Sequence, residues 1–142
     1  MHGQHQPVGP RKQSPMSEAV LARPGRLFVT AGQIARDAAG ELVGPDDFAR
    51  QAEFALERVL ALTADAGGKP NDLISLRCNI VDRADIPALV EVRRRLLAEP
   101  YPAVTTVVVA GLADPRWLVE IEGMAVIDDE EQTGDADGRR DP

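Results

Sequence analysis

Glu120 and Glu122 stand two residues apart in "WLVEIEGMAVI", residues 117–127, a run that is otherwise almost wholly apolar. Side chains two apart on a strand share a face, so two carboxylates project together from a segment built for burial. Such a face either meets water or lines a site that uses them. In a site, Glu120 can orient or deprotonate a water or substrate within hydrogen-bond reach. Arg77 is the second unusual charge, placed beside Asn79 in "DLISLRCNIVD", residues 72–82. A charge among residues that prefer burial must be paired or wet. Two readings stay open for it: an ion pair with Glu120 or Glu122, or an anion grip for a ligand. Cys78 falls on the opposite face of that segment and reads as a small core hydrophobe, not a nucleophile. His2 and His5 have no companion ligands, so no metal site is expected. No glycine-rich phosphate loop and no Ser/His/Asp arrangement is present, and no cofactor is expected.

The elements that must position these residues follow from pattern. "RLFVTAG", residues 26–32, is β-branched and aromatic and closes on Gly, a strand signature. After Gly44-Pro45, Asp46 or Asp47 caps a helix on which Phe48, Ala52, Ala55, Leu56, Val59, Leu60 and Thr63 form one stripe, ended by Gly67-Gly68. Residues 72–82 alternate, with Ile74, Leu76, Cys78 and Ile80 on one face. Asp85 caps a second helix with Pro87 in its first turn; Leu89, Val92 and Leu96 make its buried stripe and the arginines at 93–95 mostly face solvent. Strands over 103–110 and 118–127 complete the chain. This order gives an α+β fold, a sheet with both helices on one face. Val104, Thr106, Val108, Leu27, Val29, Arg77 and Asn79 are then expected on the other face, where no third layer remains to cover them. An uncovered apolar face marks an interaction surface, and a closed homo-oligomer is its natural cover.

The 142 residues bound one domain, expected over 16–127, with disordered tails at 1–15 and 128–142. The last of these, "DDEEQTGDADGRRDP", holds seven acids and two arginines and so carries most of the net charge of −7. A mildly acidic core without a basic stripe gives no footprint for nucleic acid. No apolar run approaches the ~18–20 residues that span a membrane, and the N-terminus has no apolar secretory stretch. One cysteine excludes an internal disulfide, and a cytoplasmic location is the default.

"LFVTAGQIARDAAGELV", Gln51, "ADAGGKPNDLISLRCNIVD", "YPAVTTVVVAGL" and "VEIEGMAVI" occur in that order. Together they resemble the Rid family (YjgF, reactive intermediate deaminases) from about Ser17 to Ile127. The resemblance implies a chorismate-mutase-like fold, a homotrimer whose sheets close into a central β-barrel, and ligand clefts between subunits. It also implies hydrolysis of enamines and imines, with Glu120 at the position of the glutamate that orients the attacking water. The family's usual Pro-Ala-Arg-Ser/Thr, whose arginine grips the substrate carboxylate, is here Pro102-Ala103-Val104-Thr105, and valine cannot make that bidentate bond. The family's Ser-Gly-Gln is here Ala31-Gly32-Gln33, and its N-terminal aromatic corresponds to Met16.

The residues therefore point to a small metabolite bound between subunits, with Glu120 as the catalytic candidate and Arg77, Gln33, Ala31, Val104, Thr106 and Trp117 as the substrate-binding candidates. Ordinary 2-imino acid deamination is not expected. Two further functions stay open: an enamine or imine deaminase with a substituted anion-binding residue, and a non-catalytic ligand sensor or protein-interaction module.

Overall fold

In the computed structural model, which describes residues 5–129, Asp47 opens the first long helix by accepting the Arg50 N–H at 3.0 Å. This satisfies one of the donors that a helix N-terminus leaves free. The helix, α1 (Phe48–Asp65), buries Phe48, Ala52, Ala55, Leu56, Val59 and Thr63 as its spacing requires. It stops at Gly67, whose φ of 89° is the left-handed conformation that suits glycine at a helix end. The Gly68 N–H bonds back to the Thr63 carbonyl at 2.9 Å. A second helix, α2 (Ile86–Leu96), has Pro87 in its first turn, where the missing N–H costs nothing. Leu89 and Val92 are buried, but so is Arg93 at 3% exposure. Arg93 is thus the exception among arginines expected mostly to face solvent.

Six strands accompany the helices: β1 (Gln6–Val8), β2 (Ala19–Leu21), β3 (Arg26–Val29), β4 (Leu73–Ile80), β5 (Ala103–Val108) and β6 (Val119–Ile127). β1 and β2 form a separate antiparallel pair. Residues from 6 onward thus belong to the fold, against the expected N-terminal tail; the acidic tail from 130 onward lies outside the described residues. The main sheet has the order β3-β6-β4-β5, with β4 and β5 parallel and the other neighbours antiparallel. Both helices lie on one face. Leu76, Cys78, Ile80, Val119, Ile121 and Ala125 point into that layer. A β-bulge between Leu73 and Ser75 puts Leu73, not Ile74, into the core. Gly123 is required where α1 crosses β6, because a β-carbon there would lie 2.8 Å from Val59.

The opposite face is bare, as expected, but its membership differs. Residues directly paired across strands share a face. Arg77 is paired with Thr105 and Glu122, and Asn79 with Val107 and Glu120. Val104 and Thr106 pair with the buried Leu76 and Cys78, and Val108 with Ile80, so all three belong to the helix side. The bare face instead carries Leu27 and Val29, 63% and 60% exposed, with Met124, Thr105 and Val107.

One buried amide fixes the helical layer to the sheet. Gln51 is fully buried on α1. Its Nε2 donates to the Gly44 and Arg116 carbonyls, both at 3.1 Å, and its Oε1 accepts the Leu118 N–H at 2.9 Å. Gln51→Glu replaces a donor that serves two carbonyls by an acceptor. Urea denaturation of that variant is expected to show a loss of about 3 kcal/mol or more, the cost of a buried group set against unmatched acceptors. A midpoint equal to the native one would remove this anchor.

Candidate functional site

Glu120 lies on β6 opposite Asn79, half-buried on the bare face. Residues 30–33 run alongside it. Thr30 donates its N–H to the Gly123 carbonyl at 2.9 Å, and the Thr30 hydroxyl accepts the Gly123 N–H at 3.0 Å. Gln33 and Ile121 exchange backbone hydrogen bonds of 2.7 and 2.9 Å. Between these two pairs, Ala31 and Gly32 together stand opposite Glu122, which makes the segment bulge. The Glu120 side chain fills the space that the bulge leaves. A β-carbon built on Gly32 would lie 1.8 Å from the Glu120 Oε1 and 2.5 Å from its carboxyl carbon. A side chain at 32 would have to push that carboxylate aside. The Gln33 Nε2 donates to the Ala31 carbonyl at 3.0 Å and braces the bulge.

Glu120, Gln33 and Ala31 are therefore brought together as the sequence suggested. Arg77 is nearby but pairs with Glu122, not Glu120, at 3.9 Å, and both side chains are about half exposed. An ion pair in that setting contributes about 0–1 kcal/mol. Val104 and Thr106, on the helix side, are separated from Glu120 by the thickness of the sheet within one protomer, so the expected Glu120–Thr106 neighbourhood does not form inside a single chain. Trp117 is half-buried at the end of the loop before β6, its N–H bonded to the Asp114 carbonyl at 3.0 Å. Arg116 holds the Asp114 carboxyl down at about 2 through a two-point ion pair in that loop.

Two clefts open on the surface. One, about 610 Å³, is lined by Gly32, Gln33, Arg36, Phe54 and Arg58. The other, about 540 Å³, lies between the N-terminal segment and the turn before β5, with Met16, Ser17, Glu99 and Tyr101 on its walls. Met16 therefore does line a cleft, at the position where the resemblance called for an aromatic. The residue that pattern reading missed is Arg93. Its spacing four after Leu89 on an apolar stripe was the available signal, overridden by its membership of an arginine run. Cys78 is buried in the core as expected.

The sequence profile of the family described as endoribonuclease L-PSP matches residues 8–127. The chain belongs to the Rid family. A curated relative from Dermatophagoides farinae, 2-iminobutanoate/2-iminopropanoate deaminase, is 29% identical over 86% of this chain and 93% of its own. The Rid family protein YyfB of Yersinia pestis, described as of unknown function, superposes with a TM-score of 0.77 at 29% identity, covering 88% of this chain and all of that one. Escherichia coli TdcF with bound serine superposes at 0.65, with 29% identity over 87% of this chain and 92% of that one. The two-helix, mixed-sheet architecture is thus the Rid fold.

Two expectations follow from this geometry. Gly32→Ala forces the Glu120 carboxylate out of its place, so thermal melting should show a loss of about 1–3 kcal/mol, and Glu120→Ala in the same chain should recover most of it. Independent, additive losses would show that the two residues do not meet. Burial pushes the Cys78 thiol up to about 11, against a smaller opposing effect of Arg93. The folded chain then holds this proton more tightly than the unfolded one, whose thiol titrates near 9.0. That contribution is complete below pH 9 and is lost as pH rises through 11, to at most about 3 kcal/mol. Urea midpoints at pH 8 and pH 10.5 should fall more for the native protein than for Cys78→Ala.

Proposed function

We propose that this Rid protein assembles as a homotrimer and binds a small metabolite in clefts between protomers, with Glu120 orienting or deprotonating a water in a hydrolytic or proton-transfer step. The observation that carries the reading is the uncommitted Glu120 carboxylate held on the bulge at Gly32, on a sheet face that nothing among the described residues covers. Among the described residues it has no ion-pair partner, since Arg77 is taken by Glu122. The exposed Leu27, Val29 and Met124 on the same face supply the apolar area for association. Their burial would contribute about 1.5–3 kcal/mol per side chain. A site that joins Glu120, Gln33, Ala31, Arg77 and Trp117 to Val104 and Thr106 draws on both sides of the sheet, and so on two copies of the chain.

The relative named as an imino acid deaminase and the neighbour with bound serine support a small amino- or imino-acid-like ligand. An enamine or imine deaminase with a substituted anion-binding residue is the second reading, favoured by the retained Glu120. Because Val104 offers no carboxylate contact, turnover of simple 2-imino acids is expected to be marginal. The matching family profile is described as an endoribonuclease, but Glu120 and Glu122 together on the bare face, in a chain of net charge −7, oppose a phosphodiester backbone. No described helix is long and apolar enough to cross a membrane, and we place the protein in the cytoplasm.

Light scattering should give about three times 15.3 kDa, and Val29→Asp should dissociate the assembly by putting a bare charge in its interface. A monomeric native protein would overturn the assembly. Ammonia release from freshly generated imines should be lost in Glu120→Gln, with stability within about 1 kcal/mol of native, and raised in Val104→Arg. Efficient 2-imino acid hydrolysis by the native protein would instead make it an ordinary family deaminase.

A further inference from the structure

The cleft of about 610 Å³ beside Gly32 and Gln33 has walls that the Glu120 chemistry does not use. One wall is α1, which contributes Phe54 and Arg58. These stand four residues apart and share a helix face with Arg50, four residues earlier. The other wall is the turn that follows Gln33, which contributes Arg36. Most arginines nearby have acids of their own: Arg50 and Arg95 pair with Glu53, Arg94 with Glu91 and Arg116 with Asp114. Among the described residues Arg36 and Arg58 have none. For Arg58 no helical partner is possible, because the residues three and four away are Phe54, Ala55, Ala61 and Leu62. The cleft has one carboxylate on its walls, Asp37, and its Oδ1 accepts the Ala39 and Glu41 N–H groups, both at 2.9 Å. That carboxylate is turned to its own backbone, as in an Asx turn.

The frame around these side chains is fixed. The Val43 N–H donates to the Ala35 carbonyl at 2.7 Å and the Asp37 N–H to the Glu41 carbonyl at 2.9 Å, so the turn is closed on both sides of Arg36. Ala35, 1% exposed, anchors it to the protein interior. Gln33 is tied to β6 through its two backbone bonds with Ile121. On the helix side Phe54 is half-buried, and the Arg50 guanidinium carbon lies 5.9 Å from the centre of its ring. A single solvated arginine on a protein surface costs little and calls for no ligand. Two of them on facing walls of one opening, beside a part-exposed aromatic ring and with the one wall carboxylate engaged elsewhere, form a local cationic pocket. Its volume lies within the range of small-molecule sites.

We propose that this cleft is a second ligand site, for a phosphate monoester that carries a flat ring: Arg36 and Arg58 hold the phosphate from the two walls, and the ring lies against Phe54. A phosphate monoester bears a charge of about −1.5 to −2 near neutral pH and has three acceptor oxygens, which two guanidinium forks can share. A flat ring gains by stacking on an aromatic side chain whatever its exact identity. The net charge of −7 does not oppose this, because most of it lies from residue 128 onward and a cationic opening acts on ligands locally. Glu120, Arg77 and Val104 are not among the walls of this cleft, so the site stands whether or not Glu120 is catalytic.

Isothermal calorimetry on the full chain tests it, with adenosine monophosphate as the probe. Adenosine lacks the phosphate, inorganic phosphate lacks the ring, and an oligoadenylate offers a strand instead of a single monoester. The native protein should bind adenosine monophosphate in preference to all three. Arg36→Met and Arg58→Met should each weaken that binding about 10-fold or more. Phe54→Leu should weaken it about five-fold or more and leave the weaker binding of inorganic phosphate within about two-fold. All three side chains are exposed or only half-buried, so the variants should melt with the native protein. Arg94→Met removes an arginine paired with Glu91 on α2 and should leave binding unchanged. No binding of the probe by the native protein, or equal losses in Arg58→Met and Arg94→Met, would overturn the site. Adenosine binding as tightly as its monophosphate would remove the role of the arginines. Inorganic phosphate binding as tightly would remove that of Phe54, and a preference for the oligoadenylate would replace the small molecule by a nucleic-acid strand.

Discussion

A sheet has two faces, and the described residues supply helices for only one. From that constraint most of the structure follows. α1 and α2 pack on the side of Leu76, Cys78, Ile121 and Ala125, and leave Leu27, Val29, Met124 and a row of polar groups without cover. Burial on one side makes the register strict, because a one-residue slip would exchange the two sets. It also places the ionisable residues of β4 and β6 where water or another protein must meet them. Glu120, Glu122 and Arg77 keep their charges at no great cost because their face is open in the single chain. The same charges would need partners or trapped water once a neighbour closed over them.

Holding a two-layer structure of this size in one arrangement falls to a few buried polar contacts. Gln51 satisfies three backbone groups that lie on either side of α1 in sequence and have no strand or helix partner of their own. Arg23, only 10% exposed at its side chain, reaches Asp72 at 2.7 Å, the Val126 carbonyl and Asp128, and so joins the start of β4 to the end of β6. Such contacts are directional where apolar packing is not. They fix the loop before β6 to α1 and tie the start of β4 to the end of β6.

The parts of this architecture legible in the sequence are those whose signals are local. Asp47, the stripe on α1 and the glycine at its end define that helix without any tertiary information. The Glu120–Gln33 neighbourhood also came through, carried by the resemblance. β5 did not. "VTTVVV" has no alternation to read, and which of its residues face the helices is set by parallel pairing with β4 across more than twenty intervening residues. The bulge that exchanges Leu73 for Ile74 is likewise decided between strands. β1 was hidden because glutamine and proline are poor strand formers, and only its pairing with β2 makes it one. Arg93 was misplaced for a different reason: three consecutive arginines read as a solvated face, although helical geometry must turn one of them inward.

The contact between Gly32 and Glu120 constrains the order in which this protein can change. A side chain at position 32 must push the carboxylate aside, so glycine is favoured for as long as the glutamate at 120 is held in this place. The reverse does not hold, since shortening residue 120 leaves Gly32 undisturbed. A change at 32 therefore costs less once 120 has been shortened, and that order is the favoured one.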